Sequence, residues 1–172
     1  YYALGARYTN GPLVLFGVVD QQNYMNDGEN WKRNKDSLAV TIGGNYDFGV
    51  AKVYAAAQYF DELRVSNAVS TPGLNVAGKS GQEKGFALSL STAVPLGGGT
   101  LKAQLGYADA EDVVNSAYDG KRYVGGVGYQ YPFSKRTSVY VGGSYLYDKV
   151  DTPSETKKTK IAQVFTGILH LF

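Results

Sequence analysis

Three features of the sequence predict an all-β fold, an antiparallel transmembrane β-barrel. Hydrophobicity alternates with period two, tight connections alternate with long ones, and an aromatic residue closes the last strand-like segment. The alternation is clearest in Leu38–Tyr46, where Leu38, Val40, Ile42 and Tyr46 share one face and Ala39, Thr41, Gly43 and Asn45 the other. Phe86, Leu88, Leu90, Thr92 and Val94 oppose Ala87, Ser89, Ser91 and Ala93 in the same way. A helix would need a period near 3.6, which neither segment shows.

Taken in order, the segments predict nine strands, at 2–9, 13–23, 36–47, 50–61, 84–95, 100–110, 121–131, 136–148 and 160–172. Short turns fall at Asn10–Pro12, Asp47–Gly49, Leu96–Gly99 and Pro132–Arg136, where Gly, Pro, Asn and Asp supply the backbone angles a tight reversal needs. Longer polar links are expected at 24–35, 62–83, 111–120 and 149–159. Segregating loop length by end is the habit of outer-membrane barrels, which have short periplasmic turns and longer extracellular loops. A soluble sandwich has no reason to do so.

Composition narrows the class. A hydrophobic content of 44% comes with no apolar run near the roughly 18 residues of a membrane helix, so strands must make any crossing. Tyr 15 and Phe 7 against Trp 1 is an aromatic excess suited to a bilayer edge, because a Tyr ring is apolar and its hydroxyl is wet. A net charge of +2, from 17 basic and 15 acidic residues, is too balanced for a nucleic-acid binder. With Cys 0 there is neither a disulfide framework nor a thiolate metal site. No cofactor is expected.

If the short turns are periplasmic, strand nine runs downward to Phe172 and strand one also runs downward from an extracellular Tyr1. Odd parity does not suit a bacterial barrel, which has an even strand count. The expectation is that residues 1–172 form the C-terminal portion of a single transmembrane β-barrel domain, with an N-terminal half missing. The opening at Tyr1, without a Met, fits that expectation.

The turn sequences Tyr8–Leu13, Gly44–Lys52 and Gly128–Thr137, in this order and with the terminal Phe172, resemble the trimeric general porins of Gram-negative β-proteobacteria. The resemblance covers essentially the whole chain. It implies a barrel of about sixteen strands, a homotrimer in the outer membrane, and passive diffusion of small hydrophilic solutes or ions, with frequent anion preference. It implies outer-membrane lipid and lipopolysaccharide as surroundings, the missing half of the same barrel as partner, and a role for Phe172 as an assembly signal. The chain departs from the pattern at Gly167–Phe172, where Leu169 stands in place of a common Arg and Leu171 in place of a polar residue. That removes one inward positive charge, and with it some of the case for anion selectivity.

Alternation also assigns faces. Placing Leu4, Ala6 and Tyr8, Val53 and Tyr59, Leu101, Leu105 and Tyr107, and Val127, Tyr129 and Tyr131 toward lipid turns Arg7, Lys52, Gln58, Lys102, Gln104, Arg122 and Gln130 toward the pore. A charge at mid-bilayer on the lipid face costs about 2–4 kcal/mol, which favours this assignment. Arg7, Lys52 and Lys102 each sit close to a short turn, so a positive field is expected near the periplasmic end, where it would raise local anion concentration. The plainer alternative is that these groups pair with lumen carboxylates or meet headgroups at the rim. An apolar lipid-facing band is expected at Leu38, Val40, Ile42, Leu88, Leu90, Leu105, Val127, Val139 and Val141, with Tyr8, Tyr46, Tyr129 and Tyr131 at its periplasmic edge.

Other constellations weigh less. Asp109, Glu111 and Asp112, or Asp61 and Glu62, lack a defined ligand spacing and read as solvated loop charge rather than a metal site. Lys157, Lys158 and Lys160 read as a solvated loop, with lipopolysaccharide phosphates as the sharper alternative. Gly125–Gly128 is too short for a dinucleotide fingerprint and lies within a strand pattern. A membrane-barrel hydrolase is the enzyme alternative, but His170 is the single histidine and its parity puts it at the lipid edge, away from any triad. A small structural or adhesive barrel is the third reading.

Overall fold

A computed structural model describes residues 1–24, 35–64 and 81–172. Over these residues the chain is one antiparallel sheet of nine strands in sequential order. The strands are β1 (Tyr2–Asn10), β2 (Leu13–Gln22), β3 (Ser37–Asp47), β4 (Lys52–Arg64), β5 (Gln82–Leu96), β6 (Gly99–Asp112), β7 (Asp119–Pro132), β8 (Thr137–Asp151) and β9 (Thr156–His170). Each pairs only with its sequence neighbours, so β1 and β9 are the two unpaired edges.

The short connections are built as their residues require. Between β5 and β6, Gly97 and Gly98 adopt φ of 57° and 81°, and two consecutive left-handed residues at a two-residue hairpin are what a primed turn needs. Asp47 accepts a hydrogen bond from the Gly49 amide at 2.9 Å, and Ser134 accepts from the amides of Arg136 and Thr137 at 3.2 and 3.0 Å. These side chains satisfy backbone groups that the ladders leave over.

At the opposite end the structure departs from the sequence reading. The polar segment 149–159 is not a long loop: β8 continues to Asp151, β9 begins at Thr156, and only 152–155 turns. Similarly β6 and β7 extend inward on 111–120, leaving 113–118 as the connection. Lysines and carboxylates suggest a loop by composition. Beyond a bilayer, however, both faces of a strand can be wet, so the ladder continues through polar sequence. The links 24–35 and 62–83 fall largely outside the described residues, although β4 reaches Arg64 and β5 starts at Gln82. A bulge interrupts the β4–β5 register between Phe60 and Leu63, with Glu62 at φ 55°. Simple alternation therefore holds on β4 only as far as Phe60.

The burial pattern is that of a wall, not of a globule. Among the described residues, Phe60 and Ala110 are the buried hydrophobics, at 6% and 2% exposure. A second sheet covering the apolar face would have buried Ile42, Leu105 and Val164, which instead stand 60%, 66% and 84% exposed. Leu38, Leu88, Leu90, Val127 and Val141 are exposed with them, while Val40 and Val139 are half-buried by neighbours in the sheet.

Candidate functional site: the two faces of the sheet

Cross-strand register decides which side chains share a face, because residues directly opposite one another point the same way. One row runs Asp47, Lys52, Ala93, Lys102, Gly128, Gly142, Phe165 from β3 to β9. A second runs Arg7, Phe16, Gly43, Ala56, Ser89, Gly106, Val124 from β1 to β7. Together with the residues two positions apart along each strand, these rows bring Arg7, Lys52, Gln58, Lys102, Gln104, Arg122 and Gln130 to a single polar face. Lys52 and Lys102 lie in one row two strands apart, roughly 10 Å at the usual strand spacing. Lys52 opens β4 at its turn, whereas Arg7 and Lys102 each lie three positions in from the turn ends Asn10 and Gly99.

Polar side chains on this face hold one another across the strands. Lys102 Nζ donates to Gln130 Oε1 at 3.0 Å, and Gln130 Nε2 donates to Ser138 Oγ at 2.9 Å. Gln58 Nε2 donates to Thr41 Oγ1 at 3.0 Å, and Gln163 Nε2 to Ser144 Oγ at 2.9 Å. Lys52 Nζ lies 5.7 Å from the centre of the Tyr54 ring, within cation–π range. Side chains from β4 through β9, among them Tyr54, Lys102, Gln130 and Phe165, bound a cavity of about 580 Å³ on this face, and Leu15, Ile42, Tyr46, Val53 and Leu88 help to line another of about 750 Å³ on the opposite one.

Arg122 behaves differently from the other basic groups. Its Nε and Nη2 donate to the two carboxylate oxygens of Asp148 at 2.7 and 2.6 Å, and Asp148 is buried. A bidentate pair of this kind cancels most of the charge it presents to its surroundings. Sequence reasoning reads the segment around Asp148 only as strand and does not anticipate the pairing. The signal is a matter of register, which places Asp148 directly opposite Arg122.

Aromatic rings on the polar face lie flat. A Cβ at Gly142 would come within 2.6 Å of the Phe165 ring, and one at Gly43 within 2.7 Å of the Phe16 ring. Glycine at these positions is the space the rings occupy, and it keeps them against the wall instead of projecting from it.

The opposite, apolar face is framed by two aromatic rows. At the short-turn end Tyr46 meets Phe48 at 4.6 Å between ring centres, Tyr131 meets Phe133 at 5.6 Å, and the Tyr129 hydroxyl donates to the Leu96 carbonyl at 2.7 Å. Tyr8 is exposed on the same face. At the other end Phe86, Tyr107, Tyr123 and Tyr147 form a ladder with successive ring separations of 5.8, 5.1 and 6.2 Å. Sequence reasoning misses this second row. Its signal is an aromatic of matching parity eight positions from Tyr131, at Tyr123, a separation of about 27 Å along a strand. With strands tilted by 35–45°, that corresponds to roughly 20 Å of bilayer depth, near the height of a barrel's apolar band.

The candidate metal ligands do not assemble. Asp109 and Glu111 point to the apolar-face side, where they meet Lys121 at 3.9 Å and Lys84 at 3.1 Å. Asp112 has the opposite parity and accepts from the amides of Val114 and Asn115, both at 2.9 Å, closing the 113–118 turn. Among the described residues no group of three or more potential ligands converges. His170 Nδ1 lies 2.9 Å from Thr137 Oγ1, and its ring stacks edge-on to Phe172 at 4.9 Å.

A sheet whose described residues bury only Phe60 and Ala110 among their hydrophobics, with one polar face and one apolar face bounded by two aromatic rows, defines the wall of a membrane β-barrel. Residues 1–151 match the family described as Gram-negative porin, and the chain belongs to that family. It is 30% identical to an outer membrane porin protein of Bordetella pertussis, a match covering 98% of this chain and 45% of that relative. The chain thus spans about half the length of the curated relative it matches. No solved structure gives a significant match. The family and the relative's name are those of outer-membrane porins, not of hydrolases, and they locate the chain in the outer membrane of a Gram-negative bacterium.

Proposed function

We propose that this chain is part of the wall of a water-filled channel for passive diffusion of small hydrophilic solutes and ions. The observation that supports it best is the division of the sheet into a polar face and an exposed apolar face, with Phe60 and Ala110 as the buried hydrophobics among the described residues. Backbone groups at the free edges of β1 and β9 cannot stay unpaired inside a bilayer. The remaining wall is therefore supplied by another segment of the same barrel, about sixteen strands in all, in a homotrimer surrounded by outer-membrane lipid and lipopolysaccharide. Planar-bilayer recording of the full-length protein tests this reading: stepwise, ohmic, water-filled conductance is expected, and a protein that inserts but passes no current would contradict it.

Pore-lining roles follow the polar face. Lys52, Lys102 and Arg7 carry the positive potential that would favour anions, while Gln58, Gln104 and Gln130 give neutral hydrogen-bonding lining. Arg122 lines the same face but its charge is balanced by Asp148, so it contributes to wall stiffness more than to selectivity. Phe172, beside His170 at the short-turn end, acts in assembly. Phe172→Ala is expected to lower the yield of folded trimer in cells and leave the conductance of assembled trimers unchanged; normal yield removes the role.

A further inference from the structure

Glycines on the polar face of β7, β8 and β9 are covered unevenly. One registered row runs Lys102, Gly128, Gly142, Phe165 from β6 to β9. The next row toward the short turns sets Gln130, Tyr140 and Gly167 together, and the next row away from them sets Gln104 opposite Gly126. A Cβ at Gly142 would strike the Phe165 ring and one at Gly167 the Tyr140 ring, so an aromatic already covers each of those glycines. A Cβ at Gly128 would meet only backbone, the Val141 carbonyl oxygen at 3.3 Å and the Gly142 Cα at 3.7 Å. The wall at Gly128 is therefore bare among the described residues, and bare backbone in a strand is where a ligand can approach closely. The Phe165 ring reaches back over Gly142, so the bare patch extends from β6 to β8, about 10 Å at the usual strand spacing. One substituted six-membered ring has that width. Aromatic rings and amides border the patch. Tyr140 and Phe165 are exposed, their centres 6.4 Å apart and their planes inclined at 51°. Gln104 is exposed and makes no hydrogen bond among the described residues. The cavity bounded by these groups, about 580 Å³, falls in the size range of small-molecule sites.

We propose that the bare wall at Gly128, between the Tyr140–Phe165 ring pair and the side chains of Gln104 and Gln130, binds a neutral pyranose ring of a permeating glycoside. The inference rests on the channel reading and deepens it, from unspecific passage to saturable passage of one solute class. The chemistry of the patch selects the sugar. A pyranose has C–H faces that suit aromatic rings and a rim of hydroxyls, each both donor and acceptor. The Gln104 and Gln130 amides likewise offer both a donor and an acceptor. A flat aromatic acid fits less well, because one plane cannot lie parallel to two rings inclined at 51°. The nearest ammonium, that of Lys102, is moreover already engaged by Gln130 Oε1 at 3.0 Å. A puckered ring presents C–H groups at more than one angle and needs no counter-charge. An acyclic polyol carries the same hydroxyls but must be ordered on binding, an entropy cost that ring closure removes.

The test records single-channel current of the full-length protein in planar bilayers while methyl α-D-glucopyranoside is added, with sorbitol and benzoate as comparison solutes at constant ionic strength. The glucoside is expected to lower the current saturably, with half-saturation on the order of 10 mM, as befits a solute that must also leave. Sorbitol should lower it only in proportion to its concentration. Phe165→Leu keeps apolar bulk but loses the ring, and should raise the half-saturating concentration roughly fivefold, by the usual value of an aromatic contact. Phe133→Leu, in the β7–β8 turn, should behave as the wild type does. Should the Phe165 variant fail to fold, Gln104→Ala must raise the half-saturating concentration about threefold, by the usual value of a neutral hydrogen bond. An open channel that the glucoside does not block saturably would overturn this inference and leave the channel reading standing. Absence of ohmic current from every protein would sink the channel reading and this inference with it. Equal saturation by sorbitol, stronger block by benzoate than by the glucoside, or an unchanged half-saturating concentration in the folded variants would each overturn the proposal.

Discussion

Arg122 and Asp148 show how a single residue's role turns on its partner. Asp148 is buried, and its two oxygens are both engaged by one guanidinium. Asp148→Asn would take the negative charge out of this bidentate pair, at a cost of about 2 kcal/mol by the usual value of a charge-assisted hydrogen bond. The expected result is a lower unfolding temperature of the reconstituted protein, partly recovered in the Arg122→Gln, Asp148→Asn double variant, with little change in ion selectivity. The opposite is expected of Arg7, Lys52 and Lys102, which have no carboxylate bound in this way among the described residues. Replacing all three with Gln should move the reversal potential toward cations, more at low salt than at high, because the Debye length of about 8 Å at physiological salt is comparable to a pore radius. Unchanged selectivity at low salt would place these charges outside the ion path. Gly142→Ala makes a further test at this scale: the Phe165 ring must leave the wall, so conductance should fall if the polar face lines the channel.

At the scale of the strand, the sequence is readable wherever a bilayer imposes one wet and one dry face. The alternation of Leu38–Tyr46 and Phe86–Val94 assigns those faces without structure, and the Gly-rich reversal at Leu96–Gly99 fixes where β5 gives way to β6. Legibility fails beyond the membrane. There β8 and β9 run on through Lys149, Asp151, Lys157 and Lys158, because a ladder in water places no hydrophobic demand on either face and leaves no period to detect. It fails also at Glu62, where a bulge resets parity and no Gly or Pro marks the change. The site is legible as a set of residues on one face, but not in its pairings, since those depend on register between segments that sequence alone does not align. Leu105 and Gln104 make the test. Leu105→Arg should destabilise the folded barrel by about 2–4 kcal/mol if it meets mid-bilayer, whereas Gln104→Arg should cost far less. Denaturant titration in lipid vesicles measures both, and equal costs would contradict the assignment of faces.

The described sheet is a sector of wall with two open edges, and its buried hydrophobics are Phe60 and Ala110. Its stability depends on what completes the ladder at β1 and β9, and its function on which face meets water. An apolar outer band framed by aromatic rows makes sense only if the polar side is wet. The chain contains no cysteine, so once the full-length protein is freed of any cysteine elsewhere the two faces can be read residue by residue. Single cysteines introduced along β6 of the full-length protein, from Lys102 to Tyr107, can be probed in planar bilayers with a charged, water-soluble thiol reagent. Current is expected to fall on modification at positions 102, 104 and 106 and to be untouched at 103, 105 and 107. Uniform reactivity along β6, or the reverse alternation, would contradict it.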